Sequence, residues 1–190
     1  MDLRQQKEAV RRQVAAAIAA IPPAERKAMD AAAVENALEA LRFFLAKPRL
    51  LIAGYMPLAD EVEITPLLLE FFEHGARLCL PRLERDGDLT LREVSDFSQL
   101  AVGCYGILEP PAEATLISAN SVDLALVPGR AFTPACQRMG RGRGCYDRLL
   151  RRMIGQRVAL AYDCQILESI PLSAEDEPVH MVITPTRIFR

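Results

Sequence analysis

The chain has no tryptophan, only two histidines (His74 and His180), and only three lysines among its 23 basic side chains. Neither histidine stands near an obvious nucleophile, so no Ser-His-Asp or Cys-His catalytic arrangement suggests itself. The five cysteines, Cys79, Cys104, Cys136, Cys145 and Cys164, are far apart and include no Cys-x-x-Cys pair. That argues against a disulfide framework and a structural zinc site, and points to a reducing, cytoplasmic setting. No apolar run approaches the ~18 residues of a membrane span, and the opening MDLRQQKEAVRRQ is too charged for a signal peptide. No repeat, linker or low-complexity stretch is present. The net charge of −2 argues against a polyanion binder as a whole.

What is present fits a globular protein. With 190 residues, 51% of them hydrophobic and 25% charged, the chain can bury a full core as a single domain over 1–190. Leu3, Val10, Val14, Ala17, Ile18 and Ile21 recur near a 3.6 spacing and predict a helix over 2–20. Pro22-Pro23 breaks it, and a second helix runs to about Ala46, so that helices 2–46 pack on the α/β core. Leu50–Tyr55 reads as a buried strand and Thr65-Pro66 as an N-cap and N1 pair. A helix then runs to His74, stopped by Gly75, and Arg77–Leu80 is a strand closed by Pro81. This is a βαβ unit with parallel strands. Asp86-Gly87 and the alternating LTLREV segment predict a hairpin or edge strand. Residues 95–120 lack clear periodicity. Val122–Val127 is another buried strand, Tyr146–Ile154 a helix capped by Gly155, Arg157–Tyr162 a strand, Gln165–Ser169 a helical turn, and Val179–Thr184 a last strand. The fold class is α/β, a three-layer α/β/α sandwich with a mainly parallel sheet. In such sheets ligands sit at the carboxyl ends of strands, which makes the loops after Tyr55 and Val127 neighbours over one cleft.

The second of those loops carries the strongest chemical signal. After Pro128-Gly129 come Arg138 and the run Gly140, Arg141, Gly142, Arg143, Gly144, then Cys145, Tyr146 and Asp147. Glycines ahead of a helix let the backbone approach a ligand, the helix start favours anions, and arginines add forked donors. A glycine–arginine run is also compatible with a flexible surface turn or a nucleic-acid contact, but such segments are long, and this one is five residues between strand and helix signals. It has neither the Gly-Lys-Ser/Thr of a Walker loop nor the G-x-G-x-x-G spacing of a dinucleotide fold. Asp147 either meets a magnesium ion beside phosphates or only favours its helix terminus. Glu61 and Glu63, two apart on an extended loop, share a side. Asp176, taken alone, reads as surface charge.

In this arrangement the chain resembles the 5-formyltetrahydrofolate cyclo-ligase (5,10-methenyltetrahydrofolate synthetase) family. The matching segments are Lys7–Arg11, Tyr55–Glu61, Gly106–Pro110, Pro128–Phe132 with Arg138–Asp147, and Gln165 with Asp176. The resemblance implies a fold of the sugar-phosphate isomerase and CoA-transferase type. It also implies an ATP- and magnesium-dependent ring closure of 5-formyltetrahydrofolate through a phosphorylated formyl (iminophosphate) intermediate. ATP would be held by Lys7, Arg11, Arg138, Gly140, Arg141, Gly142, Arg143, Gly144, Cys145 and Tyr146. Arg141 and Arg138 would be catalytic, Arg141 nearest the transferred phosphate. Met56, Glu61 and Cys145 would contact the folate, and Asp147 with Asp176 would bind magnesium. A monomer binding no nucleic acid is expected. Three positions depart from the family pattern: Cys145 replaces a usual tyrosine, Arg143 a glycine or lysine, and His180 a frequent aspartate. A paralogue of the same fold with a different substrate is the alternative.

Overall fold

The computed structural model describes residues 2–190, apart from the side chain of Cys104. Helix α1 spans Leu3–Ala19 and α2 spans Pro23–Leu45. Asp2 and Gln5 cap α1 reciprocally, each side chain accepting the other's backbone N–H, at 2.8 and 3.1 Å. Pro22 ends the break and Pro23 starts α2, where its missing N–H costs nothing. Strand β1 (Leu51–Ala53), α3 (Thr65–Glu73) and β2 (Arg77–Leu83) form the expected parallel unit. The start of α3 falls one residue earlier than predicted. Ile64 is the N-cap, and the Thr65 N–H is taken by Glu63 Oε1 at 3.0 Å.

Strand β2 also continues through Pro81 instead of ending there. The Cys79 carbonyl accepts from Gly54 on the β1 side, so Pro81, two residues on, points its nitrogen the same way, beyond the end of β1. No ladder bond is lost there, while β2 stays paired with β3 (Leu89–Val94) on its other edge. The poorly periodic stretch holds 3₁₀ turns and the short strands β4 (Ala101–Val102), β5 (Leu108–Glu109) and β6 (Leu116–Ile117). Then come β7 (Leu124–Leu126), β8 (Ala131–Phe132), β9 (Arg138–Met139) and α4 (Cys145–Leu150). The chain ends with β10 (Gln156–Leu160), a 3₁₀ turn at Asp163–Gln165, β11 (Met181–Ile183) and β12 (Ile188–Phe189). Helix α4 stops four residues short of the expected Ile154, and Gly155 is not its cap. Gly155 is where the chain passes the sheet: a β-carbon there would lie 2.2 Å from the Val122 carbonyl oxygen.

The main sheet has the order β12-β11-β10-β7-β1-β2-β3-β6. Its five central strands are parallel; β12 on one edge and β3 on the other run against them, and β6 pairs antiparallel with β3. Strand alternation sends Ile52, Leu78, Leu124, Val158 and Ile183 to one face, where Val14, Ile18, Leu41, Leu67 and Phe71 of α1–α3 cover them. Leu51, Cys79, Ala125, Ala159 and Val182 face the other side, against Leu149 and Leu150 of α4 and Met153. The layers are therefore α/β/α, with the second helical layer thin.

On its polar side, α1 is tied to the C-terminal segment. Lys7 Nζ bonds Asp176 Oδ2 at 2.5 Å and Ser173 Oγ at 3.2 Å, and the Ser173 N–H donates to the same Asp176 oxygen at 2.6 Å. Burial pushes the Asp176 carboxyl up, but the Lys7 and Ser173 bonds outweigh it and hold the group below the usual carboxylate range.

Two outcomes are expected. Gly155→Ala should lower the unfolding free energy by about 1–3 kcal/mol in urea titrations, because backbone must move to admit the methyl group. The depressed Asp176 carboxyl contributes stability in full above its unfolded value of about 3.9. That contribution is lost as pH falls through the lower folded value. Wild-type stability should therefore drop more steeply below about pH 4 than that of Asp176→Asn.

Candidate functional site

The site forms where β7 ends. Beyond Val127 the chain makes the β8–β9 hairpin, and β9 delivers Arg138 and Met139 directly into the glycine–arginine loop. Helix α1 braces that loop: Arg11 Nε donates to the Gly140 carbonyl at 3.0 Å. Gly142 has φ +107°, and a β-carbon there would come within 3.1 Å of the Arg11 guanidinium. Both the backbone angle and the close approach call for glycine. Gly144 is the N-cap of α4, a helix of six residues.

This loop separates two cavities. On one side lies a groove of about 890 Å³ lined by Lys7, Arg11, Gly140–Gly144, Ser173, Asp176 and arginines 148 and 151. On the other is a largely apolar pocket walled by Tyr55, Met56, Leu58, Pro81, Leu83, Ile107 and Tyr146, with Glu61 among them. Gly140, Arg141, Arg143, Gly144 and Asp147 border both.

The predicted site residues divide between these cavities. Lys7, Arg11, Gly142 and Asp176 line the groove, whereas Met56, Glu61, Arg138, Cys145 and Tyr146 line the pocket. Arg138 does not reach the groove. Its side chain is 1% exposed and is consumed by three partners: the Pro128 carbonyl at 3.3 Å, the Glu177 carbonyl at 3.1 Å, and a close pair with Asp147. Burial pushes its pKa down, against the opposing pull of Asp147 and Asp176. Asp147 Oδ1 also accepts the Glu177 N–H at 3.1 Å. The AEDEP segment, which as a string reads as surface charge, is thus a clasp over α4, with the Glu177 side chain bonded to Arg151 and Arg157.

Arg141 lies across the partition. Its Nε donates to Glu61 Oε1 at 3.0 Å, and Nη2 pairs closely with Asp60. Burial lowers the Arg141 pKa, but the Asp60 bond and the Glu61 charge outweigh it and leave it raised. Glu61 Oε2 accepts the Leu58 N–H at 3.0 Å, which turns the carboxylate inward, while Glu63 is exposed and caps α3. Of the two acids, Glu61 lines the pocket and Glu63 does not. Burial, and then the Glu61 charge, push the hydroxyls of Tyr55 and Tyr146 upward, so both stay protonated donors beside that carboxylate.

Three further groups stand in or beside the site, Glu109 from the matching Gly106–Pro110 segment and Arg130 from Pro128–Phe132. Tyr105, at φ +61°, presents its ring to the Arg143 guanidinium 4.3 Å away. Glu109 is buried against Gly103, 3.8 Å from Arg82. Arg130 pairs with Asp60 at 2.7 Å. Partners so far apart in sequence meet only through the fold, so no local spacing marks these contacts. The Cys145 thiol points to the Gly87 carbonyl at 3.4 Å. Among the described residues, no group of three or more His, Cys, Asp or Glu side chains converges as a metal cage would, and no helix is long and apolar enough to cross a membrane.

Comparison with known proteins bears on the same regions. The mitochondrial 5-formyltetrahydrofolate cyclo-ligase of Arabidopsis thaliana is 30% identical over 209 residues, covering 96% of this chain and 75% of that protein. The cyclo-ligase of Mycolicibacterium smegmatis is 30% identical over 172 residues, covering 85% and 89% respectively. An NMR structure of 5,10-methenyltetrahydrofolate synthetase from Aquifex aeolicus superposes with a TM-score of 0.85 at 34% identity, covering 97% of this chain and 92% of that one. Residues 3–185 match the family as a whole, from the α1 basic residues through the loop to the C-terminal clasp, and the chain belongs to the 5-formyltetrahydrofolate cyclo-ligase family of ligases.

Proposed function

We propose that the protein closes 5-formyltetrahydrofolate to 5,10-methenyltetrahydrofolate at the expense of ATP, with the triphosphate in the polar groove and the folate ring system in the apolar pocket. One observation carries this reading: a single loop, with Arg141 on it, borders both cavities. Two reactants that must exchange a phosphoryl group need facing sites with a cation between them.

The chemistry suits that juxtaposition. The formyl oxygen of the folate attacks the γ-phosphorus, and the bond to the ADP oxygen breaks. The amide-like oxygen, a poor leaving group, becomes a phosphate ester of an iminium carbon. The N10 lone pair then attacks that carbon, the carbon–oxygen bond breaks, and phosphate departs while N10 loses its proton. Arg141 stabilises the negative charge that builds on the transferring group. Lys7 and Arg11 hold the distal phosphates, with backbone N–H groups of Gly140–Gly144 and the charge of Arg143. Cys145 and Tyr146 border the folate, and Met56 packs on it. Glu61 accepts the N–H donors of the pterin ring, with Tyr55 and Tyr146 protonated alongside. Arg138 acts through Asp147, whose carboxylate it fixes.

The carboxylates of Asp147 and Asp176 fit a magnesium ion. Among the described residues, the hydrogen bonds to the Asp147 carboxylate fall on Oδ1 and those to Asp176 on Oδ2, and both residues line the groove. Hard oxygen donors, few in number and completed by substrate phosphates, are the usual magnesium set. When bound, the ion would neutralise phosphate charge.

Purified protein mixed with 5-formyltetrahydrofolate, magnesium and ATP should show the near-ultraviolet absorbance of the methenyl product; no ATP-dependent signal would sink the assignment. Arg141→Ala should cut turnover about a hundredfold or more with little change in melting temperature. Arg138→Met should in addition lose stability. Breaking its buried pair leaves Asp147 uncompensated and should cost about 3–5 kcal/mol of stability, measured by denaturant titration.

A further inference from the structure

Arg130 borders neither cavity, yet its side chain is 9% exposed and its Nη1 lies 2.7 Å from Asp60 Oδ2. Its backbone is fixed on both sides: the N–H donates to the Met139 carbonyl at 2.7 Å, and the carbonyl accepts from Gln165 Nε2 at 3.1 Å. A nearly buried guanidinium needs a counter-charge, and Asp60 supplies it. Asp60 in turn spends its other oxygen, Oδ1, on Arg141 Nη2. Burial raises the Asp60 carboxyl, but the bonds from Arg141 and Arg130 outweigh it, so Asp60 stays ionised.

The consequence falls on Arg141. A long side chain on a glycine-flanked loop has many rotamers, and fixing one of them costs entropy. Glu61 Oε1 holds the Nε–Nη2 edge of this guanidinium, 3.0 Å from each nitrogen, and Asp60 Oδ1 takes a second bond from Nη2. Nη1 has the longest of these contacts, donating to Asp60 Oδ2 at 3.5 Å, so it is the donor most easily given over to an incoming phosphoryl oxygen. Asp60 can hold Nη2 in place only if it is itself prevented from swinging into water, and the buried Arg130 does that.

We propose that Arg130 and Asp60 form a relay of positioning residues that preorganises Arg141 for phosphoryl transfer, with Arg130 acting on the reaction without touching either substrate. The proposal rests on the cyclo-ligase reading of the site. It assigns a role to a residue beside the first hairpin strand, outside the glycine–arginine loop, and makes the loop's principal cation dependent on it.

The test is steady-state kinetics on the full chain with ATP, magnesium and 5-formyltetrahydrofolate, using Arg130→Met, Arg130→Lys, Asp60→Asn and the double variant Arg130→Met with Arg141→Ala. Preorganisation acts on the transition state. Arg130→Met and Asp60→Asn should therefore lower kcat by roughly tenfold with KM for both substrates within about twofold. Arg130→Lys should recover part of that loss. The double variant should be no slower than Arg141→Ala alone, because residues acting through one group are not additive. If Arg130→Met fails to fold, Asp60→Asn alone and combined with Arg141→Ala carries the same comparison. Wild-type kcat in Asp60→Asn, or losses that multiply in the double variant, overturns the relay. If Arg141→Ala itself keeps full turnover, the reading of the site falls and the relay with it; if Arg141→Ala is impaired and the losses still multiply, the relay alone falls.

Discussion

A buried arginine is expensive unless every edge of its guanidinium finds an acceptor. Arg138, 1% exposed, meets that requirement by drawing together three parts of the chain. It takes the Pro128 carbonyl just past β7, the Asp147 carboxylate on α4 and the Glu177 carbonyl in the C-terminal segment. The loop between Arg138 and Asp147 is thereby pinned at both ends. Its glycines contribute conformational freedom within a fixed span, which is how a loop can be both shaped for a ligand and ordered before the ligand arrives.

With its ends fixed, the loop becomes a wall. Helix α1 braces it from the groove side through Arg11, and Asp60 and Glu61 meet it from the pocket side through Arg141. Cations crowd the groove, aromatic and aliphatic side chains line the pocket, and the charge of Arg141 in the wall is balanced by the Asp60–Glu61 pair. That separation suits the proposed reaction, in which a highly charged co-substrate must reach an uncharged amide-like oxygen without water between them.

Much of this is legible in the string of residues because it is local. Helix periodicity and the Pro22-Pro23 break mark the first two helices to within a residue or two. The βαβ unit follows from chain order and strand handedness. The errors also have physical causes. Pro81 reads as a strand end, but its nitrogen faces an edge where no partner strand remains, and only the sheet order reveals that. Gly155 reads as a helix cap, but its small size serves close passage beside Val122. The AEDEP segment reads as surface charge because acidic runs usually are; here it meets Arg138, Arg151, Arg157 and Lys7.

Family and enzyme class can be read without coordinates, because the glycine–arginine loop sets particular residue types at short fixed spacings, and those survive as a string. The same holds for the α/β architecture, because buried parallel strands and amphipathic helices have distinct periods. Which side of the loop each residue serves is a property of the fold alone. Arg138, Cys145 and Tyr146 stand within five residues of Arg141, yet they face the pocket while Lys7 and Asp176, from opposite ends of the chain, face the groove. A side chain's direction at the end of a sheet depends on strand register and on what packs behind it. For that reason the Arg130–Asp60–Arg141 chain of contacts, spanning three separate segments, exists only in the folded protein.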